Sequence, residues 1–108
     1  MGIVPRKDDD YAFFSFLAPK DLEKLKDISF KKSYKKDEIL FYKGDESKYL
    51  HLLIRGIAKL YTHDFKDNEV VIHNLMGPAL IAEIVNYEEM NFLVNCAFET
   101  DSDVLLID

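Results

Sequence analysis

The chain has 108 residues, one cysteine and a formal net charge of −6, which bounds it to a single domain with no internal disulfide and no multi-cysteine zinc or iron–sulfur site. All 14 Lys and Arg lie at or before Lys66, while residues 67–108 carry nine acidic groups and no basic one, a field that repels nucleic-acid phosphates. No stretch reaches the roughly 20 apolar residues of a membrane span and no signal-peptide core opens the chain, so a cytoplasmic protein with no membrane partner is expected.

Residues 1–10 are polar, with Asp8, Asp9 and Asp10 in a row, and are expected to fray as a tail. Residues 11–17 hold Tyr11, Phe13, Phe14, Phe16 and Leu17, too apolar to stay in water, and predict a short helical lead-in packed on the domain or on a partner chain. Pro19 suits the first position of a helix, and Leu22, Leu25 and Ile28 recur at the spacing of one apolar helix face. From Phe30 the period changes. Residues 30–34 and 38–42 are short strands around the polar turn Lys35-Lys36-Asp37, and Gly44 sits in the turn 43–47. Residues 49–54, Arg55-Gly56 and 57–62 read as a tight β-hairpin. Residues 64–68 close a second hairpin into strand 69–76, and strands 92–98 and 104–107 complete the pattern. Seven or eight short strands with one leading helix predict a mainly β fold: a sandwich, jelly roll or small barrel. Leu105, Leu106 and Ile107 read as a buried strand left unprotected at the end of the chain, which predicts a longer protein continuing past Asp108.

The interruption between strands 69–76 and 92–98 is the expected ligand site, since loops on a rigid β scaffold carry function. It breaks at Gly77-Pro78 and leaves room for one turn of helix carrying Glu83. The expected ligand-binding residues are Gly77, Leu80, Ile81, Ala82, Glu83, Ile84, Phe92, Leu93 and Val94, an apolar or weakly polar pocket for a small-molecule effector of unknown identity. No basic residue of this segment can meet a phosphate. No nucleophile–His–acid or Gly-rich phosphate motif occurs, so the chain reads as no enzyme and as needing no cofactor. His51, His63 and His73 sit singly on separate strands, without the His-x-His pair of a metal-binding cupin, and read as surface or edge residues. Cys96, between apolar neighbours, reads as an inert buried thiol. Lys31-Lys32 and Lys35-Lys36 read as a wet strand edge, and Glu88-Glu89 as a solvated turn.

Four pieces in order, namely Phe16 to Leu25 with its Pro19, Lys43-Gly44-Asp45, the run Leu50 to Tyr61, and Gly77 to Glu83, resemble the cyclic nucleotide-binding-type effector domain of the Crp/Fnr family of bacterial transcription regulators. The resemblance covers roughly residues 14–108. It implies a double-stranded β-helix, the eight-stranded jelly roll that holds an effector between sheet and cassette, with residues 1–13 as a tail or lead-in. It also implies a homodimer in the full-length protein, and DNA contact only through a C-terminal helix-turn-helix domain absent from this chain. Glu83 falls where the family's ribose-binding Glu lies. The family's phosphate-binding Arg-Ser or Arg-Thr pair falls on Phe92 and Leu93, both apolar, and a desolvated phosphate without its cation is costly. The expectation is therefore an effector-sensing domain that does not bind cyclic AMP in the usual mode. The alternative is a stand-alone ligand-binding or protein-interaction β-roll without a DNA-binding domain, with a cupin-like metal-dependent enzyme third.

Overall fold

The computed structural model describes residues 3–46, 48–81 and 91–108, and the backbone of residues 85–86. Among these, the order is β1 (Ile3–Val4), a 3-10 helix (Asp8–Phe14), α1 (Pro19–Asp27), β2 (Ser29–Tyr34), β3 (Ile39–Phe41), β4 (Leu50–Arg55), β5 (Ile57–His63), β6 (Glu69–Met76), β7 (Ala79–Ile81), β8 (Val85–Asn86), β9 (Asn91–Phe92), β10 (Asn95–Phe98) and β11 (Ser102–Ile107). Setting aside the two-residue segments β1, β8 and β9, eight strands remain, and the fold is the expected β-roll. One sheet runs β1-β2-β11-β4-β7, a second β3-β10-β5-β6, and β8 pairs with β9. All pairings are antiparallel. Among the described residues no helix is long and apolar enough to cross a membrane.

The run Leu52-Leu53-Ile54 and the run Val104 to Ile107 show why period-2 patterning was hidden. The five-stranded sheet is covered on both faces, and strands buried on both sides lose the apolar–polar alternation. Tyr34, Leu53, Ile81, Val104 and Leu106 point between the sheets and meet Phe41, Ala58, Leu60, Phe92, Cys96 and Phe98 from the other side. Leu52, Leu105 and Ile107 point outwards, beneath Tyr11 and Phe14 of the 3-10 helix and Leu22 and Leu25 of α1. The lead-in therefore packs on the sheet as expected, although Ile28 caps α1 rather than extending its face and stays 48% exposed. β11 is no unprotected edge: β2 and β4 flank it.

Three other expectations change. Strands β4 and β5 do not form a hairpin; β4 bonds to β11 and β7, and β5 to β10 and β6. The chain changes sheet at Gly56, whose φ of +108° an L side chain rarely adopts and whose missing Cβ would lie 2.6 Å from Ser102 Cβ. Arg55-Gly56 looks like a hairpin turn in sequence because a tight corner between sheets needs the same residue.

Residues 3–10 are not a frayed tail. Ile3 and Val4 pair with Lys32 and Lys31 of β2. Asp10 is buried with its side chain fully covered; it accepts the Lys7 backbone N–H at 2.8 Å and lies 3.0 Å from Lys31 Nζ and 2.9 Å from Arg55 Nη2. Arg55 also pairs with Asp103, which accepts a 2.6 Å hydrogen bond from Ser33 Oγ. Burial pushes the Asp10 carboxyl up, but the Lys7 N–H, Lys31 and Arg55 outweigh it and hold the group below its ordinary range. Lys31 is accordingly not a wet edge residue but is buried at 5% exposure.

The hairpin after β5 is as expected. Asp64 accepts the N–H groups of Lys66 and Asn68 at 2.8 and 2.9 Å, and these bonds, Asn68 first, lower its carboxyl pKa.

Candidate functional site

The mouth of the roll is built by the Lys43-Gly44-Asp45 turn locked onto β9 and β10. Gly44 N–H donates to the Phe92 carbonyl at 2.9 Å, and Phe92 N–H returns a bond to the Asp45 carbonyl at 3.0 Å. The Asp45 carboxylate accepts Tyr42 N–H at 2.9 Å, and Asn95 Oδ1 accepts Lys43 N–H at 2.8 Å. Asn95 Nδ2 in turn donates to the Tyr61 carbonyl, so the turn is tied into the four-stranded sheet. Phe92 is thereby driven inwards. Its ring stacks on Phe41 with centroids 3.6 Å apart and planes 5° from parallel, and His51 leans against both at 5.7 and 5.9 Å.

Below this turn lies a cavity of about 210 Å³, walled by Tyr34, Leu40, Phe41, Tyr49, Phe92 and Leu106, with His51 in its lining and Lys32, Asp45, Glu46 and Lys48 around it. His51 is not a surface or edge residue; it is 6% exposed, and its Nδ1 has no hydrogen-bond partner among the described residues. Burial pulls the imidazole pKa down to about 4, so at neutral pH it is uncharged. Burial, with Glu38 nearby, pushes the Tyr34 phenol up.

The expected site residues fall in different places. Gly77 stands at a close approach: an added Cβ would lie 2.8 Å from the Ile54 carbonyl oxygen, and its N–H donates to the Gly56 carbonyl at 3.0 Å. Ile81, Phe92 and Val94 are buried between the sheets, whereas Leu80 packs into the outer cluster with Leu52 and Leu105. Consecutive strand residues face opposite ways, so Leu80 and Ile81 cannot line one pocket together. Leu93 is 49% exposed. Ala82, Glu83 and Ile84 lie outside the described residues, as do Glu88 and Glu89. The backbone of β8 pairs with β9 in a short ladder, Val85 opposite Phe92 and Asn86 opposite Asn91.

Sequence reasoning missed His51, Lys32 and Lys48 as cavity residues. The signal was present in the alternation Tyr49, His51, Leu53, of which the first two line the cavity and the third the same core, but the intervening Leu50 and Leu52 disguised it. Cys96 is the inert thiol expected: it is fully buried, and burial pushes its pKa up to about 12. Among the described residues no cluster of three or more His, Cys, Asp or Glu could hold a metal ion.

Comparison with known proteins gives this roll its relatives. It is similar to a provisionally assigned cAMP-binding regulatory protein from Silicibacter pomeroyi DSS-3 (TM-score 0.80, 20% identity, 94% of this chain and 49% of that one). It is also similar to the catabolite activator protein of Thermus thermophilus (TM-score 0.72, 21% identity, 87% and 44%) and to DNR from Pseudomonas aeruginosa (TM-score 0.76, 18% identity, 94% and 44%). At these identities the likeness is one of fold, and the chain spans about half the length of these relatives or less. No curated protein sequence matches it. The family model for the cyclic nucleotide-binding domain matches residues 31–108, from β2 to β11, and the chain therefore belongs to the cyclic nucleotide-binding domain family.

Proposed function

We propose that this chain is the effector-sensing, non-catalytic domain of a Crp/Fnr-type transcription regulator, and that it does not take cyclic AMP in the usual mode. The observation that carries this is Phe92. It occupies the position where the resemblance places the phosphate-binding arginine, and its ring is stacked on Phe41 inside the roll. A buried phosphate would meet two apolar rings there instead of a guanidinium, and charge-assisted contacts are the ones such a site depends on.

In this reading, residues 14–108 form the sensor unit and DNA contact belongs to the remainder of a regulator of the relatives' length. A ligand acts by favouring one of two arrangements of the segment that follows Ile107, and so one arrangement of the homodimer. The test is thermal unfolding and calorimetric titration of the chain with cyclic AMP and cyclic GMP at millimolar concentration. The expected result is no saturable heat and no shift in Tm. A ligand present at 100 times its Kd would add about 2.7 kcal/mol to stability, and such a shift with either nucleotide would refute the proposal.

A further inference from the structure

We propose that β6 is an association edge, on which two copies of this chain pair antiparallel about a two-fold axis between Ile72 and His73. No β6 residue lines the cavity, so the contact does not depend on which effector the roll takes.

Among the described residues four strands end the two larger sheets: β1 and β7 in one, β3 and β6 in the other. β1 has two residues and β3 and β7 three each, whereas β6 has eight. Short edge strands guard against unwanted pairing, and so do lysine and proline on an edge. β6 has none of these guards: it contains no Lys, Arg or Pro. Its single charged group, Glu69, is already held by Lys59 Nζ at 2.7 Å. Val70, Val71, Ile72 and Met76 all stand exposed.

The backbone decides which partner fits. Along an antiparallel ladder, successive residues turn their N–H and C=O alternately toward the neighbouring strand and away from it. Asp64 N–H donates to the Asn68 carbonyl at 2.9 Å, and the register continues through His63–Glu69, Thr62–Val70 and Tyr61–Val71. Glu69 and Val71 therefore turn their backbone groups outward. At the other end Gly77 N–H donates to the Gly56 carbonyl at 3.0 Å, and the register Ile57–Met76, Ala58–Leu75, Lys59–Asn74 turns Met76 and Asn74 outward. Between the two ends the pairing passes from Leu60–His73 to Tyr61–Val71, and Ile72 is the extra residue. The outward groups thus sit at Glu69, Val71, Asn74 and Met76, in steps of two, three and two residues. A regular strand, whose outward groups recur at every second residue, matches only one half of that row. The same strand reversed has the same steps and matches all of it, which makes a second copy the fitting partner.

In this register Glu69 lies opposite Met76 of the second copy, Val71 opposite Asn74, and Val70 opposite Leu75. The two Glu69 carboxylates stand at opposite ends of the ladder, each beside an uncharged residue, so no like charges face each other. A two-fold contact also closes on itself instead of growing into a filament.

Sedimentation equilibrium of the chain is expected to show monomer and dimer in exchange. Val71→Pro removes an outward N–H and no bond to β5, and Ile72→Lys sets two like charges beside the axis. Each change enters the contact twice, so each should raise the dimer Kd by about ten-fold or more, with thermal unfolding of the same samples showing the fold retained. Register is read by oxidation. Residues opposite each other in a hydrogen-bonded pair have Cα atoms about 5.5 Å apart, within disulfide reach, whereas Val71 and its own copy, three positions out of line, are about 10 Å apart and beyond it. Val71→Cys mixed with Asn74→Cys is expected to give the mixed cross-linked dimer, and neither variant alone to cross-link; the native Cys96 is buried. A chain that stays monomeric at about 1 mM overturns the proposal and leaves the edge to a different protein. A dimer that both variants leave intact, or one in which Val71→Cys cross-links with its own kind, overturns it as well.

Discussion

Replacing Asp10 with alanine removes the acceptor that holds the buried Lys31 ammonium. Three contacts are lost together: Lys31 Nζ at 3.0 Å, Arg55 Nη2 at 2.9 Å and the Lys7 N–H at 2.8 Å. They are not equal. The Arg55 side chain is 50% exposed and keeps Asp103, so its share is screened and worth about 1 kcal/mol at most. The Lys31 side chain is 7% exposed and Asp10 fully covered, and breaking a buried pair by removing one partner costs about 3–5 kcal/mol. Against a total stability of about 5–15 kcal/mol, the Asp10→Ala chain keeps little margin, and Tm should fall by at least about 12 °C at roughly 4 °C per kcal/mol. The double variant Asp10→Ala, Lys31→Met should recover most of the loss, because an apolar replacement for a buried ion pair is close to neutral. The sign in acid follows from the same geometry. The folded pKa of Asp10 lies below 3.8, so its contribution is present above that value and is lost as pH falls through the folded pKa. Urea unfolding of the single and double variants is the assay. A loss below about 1 kcal/mol for Asp10→Ala would mean that the lead-in is not anchored by this pair.

Further outcomes are expected elsewhere. His51, pulled down to about 4 from 6.5, should make the domain lose roughly 3 kcal/mol as pH falls from 6.5 to 4, because the unfolded chain takes up a proton that the folded one refuses; pH-dependent denaturation with His51→Phe as reference checks it, and a variant with the same pH slope would contradict it. Gly56→Ala should cost about 2 kcal/mol or more from its positive φ alone, and because Asp101 O would also lie 2.9 Å from the new Cβ, adding Ser102→Ala should not rescue it. Cys96 should be inert to a thiol reagent at pH 8 and react fully in denaturant, since it is completely buried and its pKa is raised to about 12.

Much of the fold could be read from residue patterns, and the reasons for the failures are physical. Strand existence was legible wherever turn chemistry was strong, as at Asp64 to Asn68, where an Asp side chain accepts the turn's own N–H groups. That β4 and β5 belong to different sheets was not legible, because Gly56 serves a sheet-to-sheet corner as readily as a hairpin turn. Asp10 and Lys31 each looked like solvated charges; only the register that places the lead-in over β2 makes them partners. Of the candidate site, the apolar character of Phe92 was plain in the sequence, but its stacking on Phe41 depends on a contact between residues 51 positions apart. Local patterns carry no information on such contacts, and His51 was misplaced for the same reason.

β11 lies between β2 and β4, so the middle of the larger sheet is made from the residues synthesised after all its other strands. While the chain is still emerging from the ribosome, β1–β2 and β4–β7 have no common neighbour, and the sheet can close only once Ile107 has cleared the exit. Proteolytic trimming that removed Ser102–Ile107 would do more than shorten the domain: it would part that sheet down its centre and uncover Leu53 and Leu52, one on each face.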